Sequence, residues 1–274
     1  MNKNINEHIK DLFSAVKEDG ITAVVESDTF KQSILELVGN ILSGPAAPIV
    51  GSIIAASAPR INGIFLSYKQ HRFEKNMRSL LSELSERVTV LEENYQKLNN
   101  KMKDLYNGAF VEMLLDSIVD EPQEEKIKYN ANAFIALMTN EANENIMNYF
   151  FNTLSELTVL DVDILCLYSH IAEIDWDDIQ QKYGVEWDHI QIVKEKLVRL
   201  GLLYRKNDRL RDNNIDEIVE YMIKVDSDSK KSKPQGVKFP HSVKKIGRSE
   251  SYGITNLGVS FLKCIGKEES NLIK

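Results

Sequence analysis

A stripe of apolar residues at alternating three- and four-residue steps restricts the fold of this sequence more than any other feature. It lies in a stretch without proline that predicts one long helix over residues 62–108, and it keeps an a/d heptad pattern for more than four heptads. The stripe consists of Met77, Leu81, Leu84, Val88, Leu91, Tyr95, Leu98, Met102, Leu105 and Ala109. Such a stripe must be covered, because long exposed apolar surfaces are rare on soluble monomers.

Two arrangements can cover the stripe, and the sequence leaves both open. In the first, two or more chains form a coiled coil, so that the protein is a homo-oligomer. The oligomer seam would then consist of Leu84, Val88, Leu91, Tyr95, Leu98 and Met102. In the second, other helices of the same chain pack antiparallel against the stripe.

The rest of the first half also has helical periodicity. Amphipathic helices are predicted over about 4–19, 28–43, 108–119, 124–138 and 143–154, and no segment of 1–154 alternates with a period of two. We therefore expect a mainly α protein with an N-terminal helical bundle over 1–154 that contains one long coiled-coil-like helix.

An uncharged segment precedes the long helix. No residue is charged for 23 positions between Glu36 and Arg60, and two prolines divide this segment into an apolar hairpin over 37–66. Small residues recur in it every four positions, at Gly39, Ser43, Ala47, Gly51 and Ala55. They predict a ridge for close helix packing. Two interpretations stay open, a buried hairpin and a membrane-active segment that contacts the membrane on activation.

The net charge and the cysteine content of the chain indicate which partners and which cellular compartment to expect. The chain has 34 Lys and Arg against 41 Asp and Glu, a net charge of −7, so it has no overall attraction for nucleic acid or anionic lipid. The two cysteines, Cys166 and Cys264, are too few for a disulfide scaffold, and the N-terminal sequence does not resemble a secretory signal. We expect a cytoplasmic protein, with any membrane contact peripheral and on the inner face.

The sequence does not predict an enzyme. No two of its five histidines are closer than 19 positions, and none has the spacing of a metal-binding pair. No glycine-rich phosphate-binding loop of a common type is present. Cys264, which follows Lys263, is the one candidate for a mildly activated thiol. We therefore predict no catalytic, cofactor or metal site.

One local stretch is strongly basic. Seven cations and no acid lie between Ser229 and Ser249. They are Lys230, Lys231, Lys233, Lys238, Lys244, Lys245 and Arg248. This pattern is typical either of a solvated insertion or of a surface that binds a partner, a phosphate or an anionic lipid.

The C-terminal part has a mixed pattern of three helices, a strand at 202–206, a second strand at 251–255 and a last helix. With "LVRLGLL" and "YGITNLGVSFL", this order resembles the winged helix-turn-helix family. The resemblance implies a winged-helix-like α+β domain over 155–274 that binds DNA, RNA or protein. The family has a short hairpin between its strands, whereas here an insertion over 207–250 separates them.

DNA is not the favoured partner of this domain. The third helix would present Trp187, Asp188, His189 and Gln191 to base edges, and the helix before it carries three more acids, at 175, 177 and 178. Carboxylates close to a phosphate backbone oppose binding. A protein partner, or a second copy of the chain, is the expectation.

A second resemblance covers about 129–171. The helices "YNANAFIALMTNE" and "MNYFFNTLSELTVLDVDILCLYSHI" are similar to a region of the bacterial abortive-infection alpha family, although Asn148 and Tyr149 stand where that family has His-Pro. The resemblance implies an antiviral role in a bacterium, in which infection triggers arrest or death. With the patterns described above, we expect a non-enzymatic phage-defence effector or sensor that has a partner-binding winged-helix module and a helical effector half, with the uncharged segment as its candidate for action on a membrane. The alternative is a winged-helix DNA-binding transcriptional regulator dimerised by the long helix.

Overall fold

The computed structural model describes residues 44–63, 67–139, 141–169, 175–247 and 250–267. The predicted helices 4–19 and 28–43, together with Gly39, Ser43 and Arg248, lie outside these ranges. The chain forms two compact units, one from residues up to Val162 together with those from Phe261 onward, and the other from Asp163 to Ser260.

The described part of the first unit is a helical bundle, which confirms the prediction of a mainly α protein. Its helices are α1 (Ala47–Gly63), α2 (Ser67–Glu86), α3 (Val88–Lys97), α4 (Asn100–Asn107), α5 (Ala109–Ile118), α6 (Glu124–Ala136) and α7 (Glu144–Glu156). The pairs that pack include α2 with α6, α5 with α7, and α1 with α5.

The prediction of one long helix over 62–108 is wrong, because α2, α3 and α4 occupy that stretch as separate helices. Leu98 is extended, with φ −71° and ψ 142°, and its conformation ends α3. The side chain of Asn99 then accepts a hydrogen bond from the backbone N–H of Met102 and caps α4. Asparagine is a preferred N-cap residue, so a local capping signal interrupts a helix that the heptad pattern alone would continue.

The apolar stripe is covered within the chain. Five of the six residues of the expected oligomer seam are buried, and Val88 packs partly buried against the same core. The buried five are Leu84, Leu91, Tyr95, Leu98 and Met102. Helices α2 and α3 contact α6, and α4 contacts α5. In the described bundle these side chains are therefore packed against helices of their own chain.

The described part of the uncharged segment is the helix α1. Ile49, Val50 and Ile53 are fully buried in the core of the bundle. Among the small residues of the predicted ridge, Gly51 is buried, Ala47 is half-buried and Ala55 is exposed, so the branched side chains rather than the ridge make the packed face. Within the described residues, no helix combines the length and the apolar character needed to cross a bilayer.

The last helix contributes its end to the first unit, so the boundary differs from the predicted division at 154/155. Phe261 stacks on Phe150 with 5.5 Å between ring centroids. The side-chain amide of Asn132 donates a 2.8 Å hydrogen bond to the carbonyl of Ile265. These buried contacts join residues far apart in sequence, which local patterns do not reveal.

The second unit contains a short sheet among helices. Its elements are α8 (Val159–Ser169), α9 (Trp176–Tyr183), α10 (Trp187–Arg199), β1 (Leu203–Arg205), α11 (Lys206–Ser229), β2 (Tyr252–Ile254) and α12 (Asn256–Cys264), of which α8 and α12 extend across the unit boundary. The strands pair antiparallel, with Leu203 opposite Ile254 and Arg205 opposite Tyr252. Helix α11 begins directly after β1 and is 24 residues long, so it is longer than the helix that the sequence predicts over 215–224 in the insertion.

We expect Leu91→Asp to unfold the helical bundle rather than to dissociate an oligomer. Leu91 is fully buried, so the substitution strands a carboxylate in an apolar core and should cost at least about 3 kcal/mol of unfolding free energy. Denaturant unfolding followed by circular dichroism measures this loss. The matched control is Val90→Asp on the same helix, where the side chain is 48% exposed and little change is expected. A stable Leu91→Asp protein of half the wild-type mass would contradict the intramolecular arrangement.

Candidate partner-binding surface

The two helices α9 and α10 follow each other with only three residues between them, and α9 has caps at both ends. The carboxylate of Asp175 accepts hydrogen bonds from the backbone N–H groups of Asp177 and Asp178, and the Asp178 carboxylate accepts one from the N–H of Asp175. Gly184 ends α9 with φ +60°, a conformation that favours glycine. Asp175 and Asp178 are two of the three acids on this helix that, in the sequence, oppose DNA binding. In the structure they also stabilise the start of α9.

One face of α10 is bonded to the sheet through Glu195. The Tyr252 hydroxyl donates a 2.6 Å hydrogen bond to the Glu195 carboxylate, and Arg205 of β1 forms an ion pair with the same carboxylate. The Arg205 contact lowers the pKa of Glu195. The amide of Gln191, one of the residues expected to face bases, donates a hydrogen bond to the Tyr252 hydroxyl oxygen. Gln191 therefore has a partner within its own unit.

Lys194 is enclosed by aromatic rings on the same helix face. Its ammonium lies 4.5 Å from the ring centroid of Trp176, 5.3 Å from Trp187 and 5.8 Å from Tyr252. The residue is only 9% exposed, and burial lowers its pKa. A lysine that the sequence would count in favour of phosphate binding thus makes cation–π contacts inside the unit.

Residues 230–247, which we call the return segment, run back along one side of α11. The Asp228 carboxylate accepts hydrogen bonds from the backbone N–H groups of Gln235 (2.9 Å) and Gly236 (2.8 Å). Asn214 exchanges two hydrogen bonds with the backbone of Lys244, at 2.7 and 2.9 Å. The return segment is therefore anchored to α11 at two positions, Asn214 and Asp228.

An aromatic contact lies midway between these anchors. Tyr221 and Phe239 meet edge to face, with ring centroids 5.2 Å apart. The helix positions of the three contacts, 214, 221 and 228, are seven residues apart and so lie on one side of α11. The return segment covers that side of the helix.

The return segment holds six of the seven cations predicted to bind a partner or anion. Lys230, Lys231, Lys233, Lys238, Lys244 and Lys245 are all exposed. Lys230 forms a 2.6 Å ion pair with Asp226, and Lys231 forms one of 3.1 Å with Asp228. The six lysines lie beside α11, outside the two short strands, and we call them the cationic edge.

A second surface of α11 is apolar and exposed. The sequence predicts a helix here with Ile218, Val219 and Met222 as apolar residues, but it does not predict their exposure. We call its six side chains the α11 stripe: Ile215, Ile218, Val219, Met222, Ile223 and Val225, which are between 37% and 63% exposed. The apolar residues at 215, 218, 222 and 225 have helical spacing in the sequence. A buried helix has the same spacing, so the sequence does not reveal that this face is exposed.

The two cysteines and the acidic clusters bear on the expected thiol and metal chemistry. Burial raises the pKa of the Cys264 thiol, which disfavours the thiolate and corrects the expectation of mild activation. Cys166 is buried. Over the described ranges, no cluster of three or more His, Cys, Asp or Glu residues could hold a metal ion.

Comparisons with known proteins identified no relative. No protein-family model matches the chain, and no curated protein or solved structure matches it significantly. A functional proposal therefore rests on the residues and their contacts.

The tyrosines of the second unit should make its stability sensitive to alkaline pH. Burial raises the pKa of Tyr252 to about 12 from an ordinary value of 10.0, and it raises the pKa of Tyr168 to about 12 as well. A raised folded-state pKa means that the stabilisation is complete below pH 10 and is lost as the pH rises towards 12.

Denaturant unfolding at intervals between pH 8 and 12 measures this effect, and Tyr252→Phe should lose less stability over the same range than wild type. The matched control is Tyr204→Phe on β1, because that ring is 44% exposed and the wild-type profile should persist. An unchanged profile for Tyr252→Phe would show that its hydroxyl does not govern the alkaline loss.

Proposed function

We propose that the chain is a non-enzymatic bacterial phage-defence effector or sensor of the abortive-infection kind, whose second unit binds an acidic protein partner. The observation that carries the proposal is the anchored cationic edge along α11. Fixing a chain segment costs about 1 to 2 kcal/mol of backbone entropy per residue. The bonds from Asp228 and Asn214 offset part of that cost and hold six lysines on one path.

Such an edge is suited to a partner with complementary charge. A surface that is already ordered loses less entropy on binding than a flexible insertion does. Clustered lysines also raise the association rate with an acidic surface. The geometry therefore favours a binding surface over a purely solvated insertion.

The defence role rests on the resemblance of residues 129–171 to the abortive-infection alpha family. In the structure this stretch comprises the end of α6, all of α7 and α8, and the connections between them. In the proposal the helical bundle executes the response and the second unit recognises the partner. The site of action is the cytoplasm, with any membrane contact at the inner face of the cell membrane following activation.

Inducible expression in bacteria challenged with phage tests the proposal. We expect wild type to lower phage yield or arrest growth, and we expect Lys233→Glu with Lys238→Glu to lose this effect by reversing charge on the cationic edge. The matched control is Lys101→Glu with Lys263→Glu, since those two lysines are exposed outside the return segment.

Both double variants should unfold at the wild-type temperature, which separates loss of binding from loss of folding. A wild-type chain without effect on phage yield or growth would overturn the defence role. Full activity of Lys233→Glu with Lys238→Glu would instead show that the return segment is not the binding surface.

The alternative function is a DNA-binding regulator, favoured by the order of α9, α10, β1 and β2. Against it, Gln191 and Lys194 are engaged within the unit and Asp188 lies exposed on α10. We expect no retardation of duplex DNA in gels at low salt. A wing that contacted six phosphates would lose ~10³ in affinity between about 50 and 200 mM salt. Salt-sensitive retardation that Lys233→Glu with Lys238→Glu abolishes would favour the regulator.

A further inference from the structure

The α11 stripe is a binding surface that the cationic edge does not explain. Its six apolar side chains lie on a helix of 24 residues, which is about 36 Å long. Met222 is 63% exposed and Ile223 is 61% exposed. Contiguous exposed apolar patches of this kind mark interaction sites on soluble proteins.

The spacing of the α11 stripe is that of a helix made to pack against another helix. Ile215 and Met222 occupy a positions of a heptad, and Ile218 and Val225 occupy the d positions that follow them. Val219 falls on the adjoining e position and widens the apolar surface. The stripe thus provides two consecutive heptads of a coiled-coil seam, and the exposed ends of those side chains are available to a partner.

The exposed area is close to the lower limit of what a specific dimer buries on each copy. Exposed fractions of 37% to 63% for six side chains correspond to on the order of 600 Å² of surface per copy. A standard interface buries about 800 Å² on each partner. Phe239, which is 53% exposed and packs on Tyr221 beside the stripe, adds apolar area at its edge.

The charges beside the α11 stripe identify a second copy of the chain as the partner. On one side, the e positions 212 and 226 carry aspartates, of which Asp226 also pairs with Lys230 of its own chain. On the other side lies the rest of the return segment, which has no acid and carries Lys231, Lys233, Lys238, Lys244 and Lys245. The stripe therefore has one acidic edge and one basic edge.

The orientation follows from twofold symmetry. When the symmetry axis runs parallel to the two helices, each edge of one copy faces the opposite edge of the other copy. Asp212 and Asp226 then face the partner's return segment. With antiparallel helices, like edges would face each other and lysines would oppose lysines.

We infer that two copies of the chain associate through the α11 stripe, with their α11 helices parallel. This dimer does not depend on the defence role or on an acidic partner. It also differs from the coiled coil that the sequence suggested, because the residues of that seam are buried within the bundle.

Sedimentation of the full chain tests the dimer. Wild type should sediment at twice the 31.3 kDa chain mass at about 10 μM, a concentration above the Kd of a specific interface. Met222→Asp places a carboxylate in the middle of the seam and should weaken association roughly a hundredfold or more, giving the single-chain mass. The matched control is Asn213→Asp, which adds the same charge at an exposed position on the opposite side of α11 and should leave the dimer intact.

Cysteine cross-linking tests the orientation and does not rely on a disruptive variant. In a parallel pair each residue faces its own counterpart, so Ile215→Cys and Met222→Cys should each give a disulfide-linked dimer under mild oxidation. In an antiparallel pair at most one of them can do so, because only a residue near the axis meets itself. Wild type, with buried Cys166 and half-buried Cys264, measures the background.

A single-chain mass for wild type at about 100 μM would overturn the inference, as would a dimer that Met222→Asp leaves unchanged. Cross-linking by only one of the two cysteine variants would overturn the parallel orientation. Met222→Asp and the two cysteine variants leave the lysines of the return segment unchanged, so the dimer can fail while the proposal of an acidic partner stands.

Discussion

Burial of the apolar stripe of α2, α3 and α4 by the chain's own helices is the constraint on which the first unit depends. Leu84 and Leu91 are fully buried, and Tyr106 extends the same core, where its ring meets Phe110 at 4.9 Å and Phe134 at 5.4 Å. Each large buried side chain contributes about 1.5 to 3 kcal/mol through removal from water. Because α5 and α6 provide the opposite wall of this core, their positions are fixed by the same requirement.

Much of the architecture could be predicted because periodicity is a local property. The helices around 109–118 and 124–136 and the two strands were predicted close to where they lie. The break at Leu98–Asn99 was not predicted, since a continuous heptad pattern hides a capping residue whose effect depends on one side-chain hydrogen bond. Whether a seam is covered within a chain or between chains could not be predicted, because both outcomes require the same apolar spacing.

For the candidate binding surface too, the sequence revealed local features but not the contacts between distant residues. The seven cations were visible in the sequence, but the anchoring of the return segment, which holds six of them, joins Asp228 and Asn214 to positions as far as 30 residues away. The enclosure of Lys194 by Trp176, Trp187 and Tyr252 likewise needs three segments to meet. Counting the charged residues of α10 therefore overstates the affinity of this helix for phosphate, because the count includes Lys194, which the aromatic rings enclose.

The seven-residue spacing of the contacts between α11 and the return segment constrains how the lengths of both can change. Asn214, Tyr221 and Asp228 lie on one side of the helix only because seven residues make nearly two full turns, with a drift of about 20°. Inserting two residues between Asn214 and Asp228 would rotate one anchor by roughly 200° and break the pairing. A longer or shorter α11 would therefore keep these contacts only if its length differed by a whole number of heptads. The return segment would have to change length in proportion.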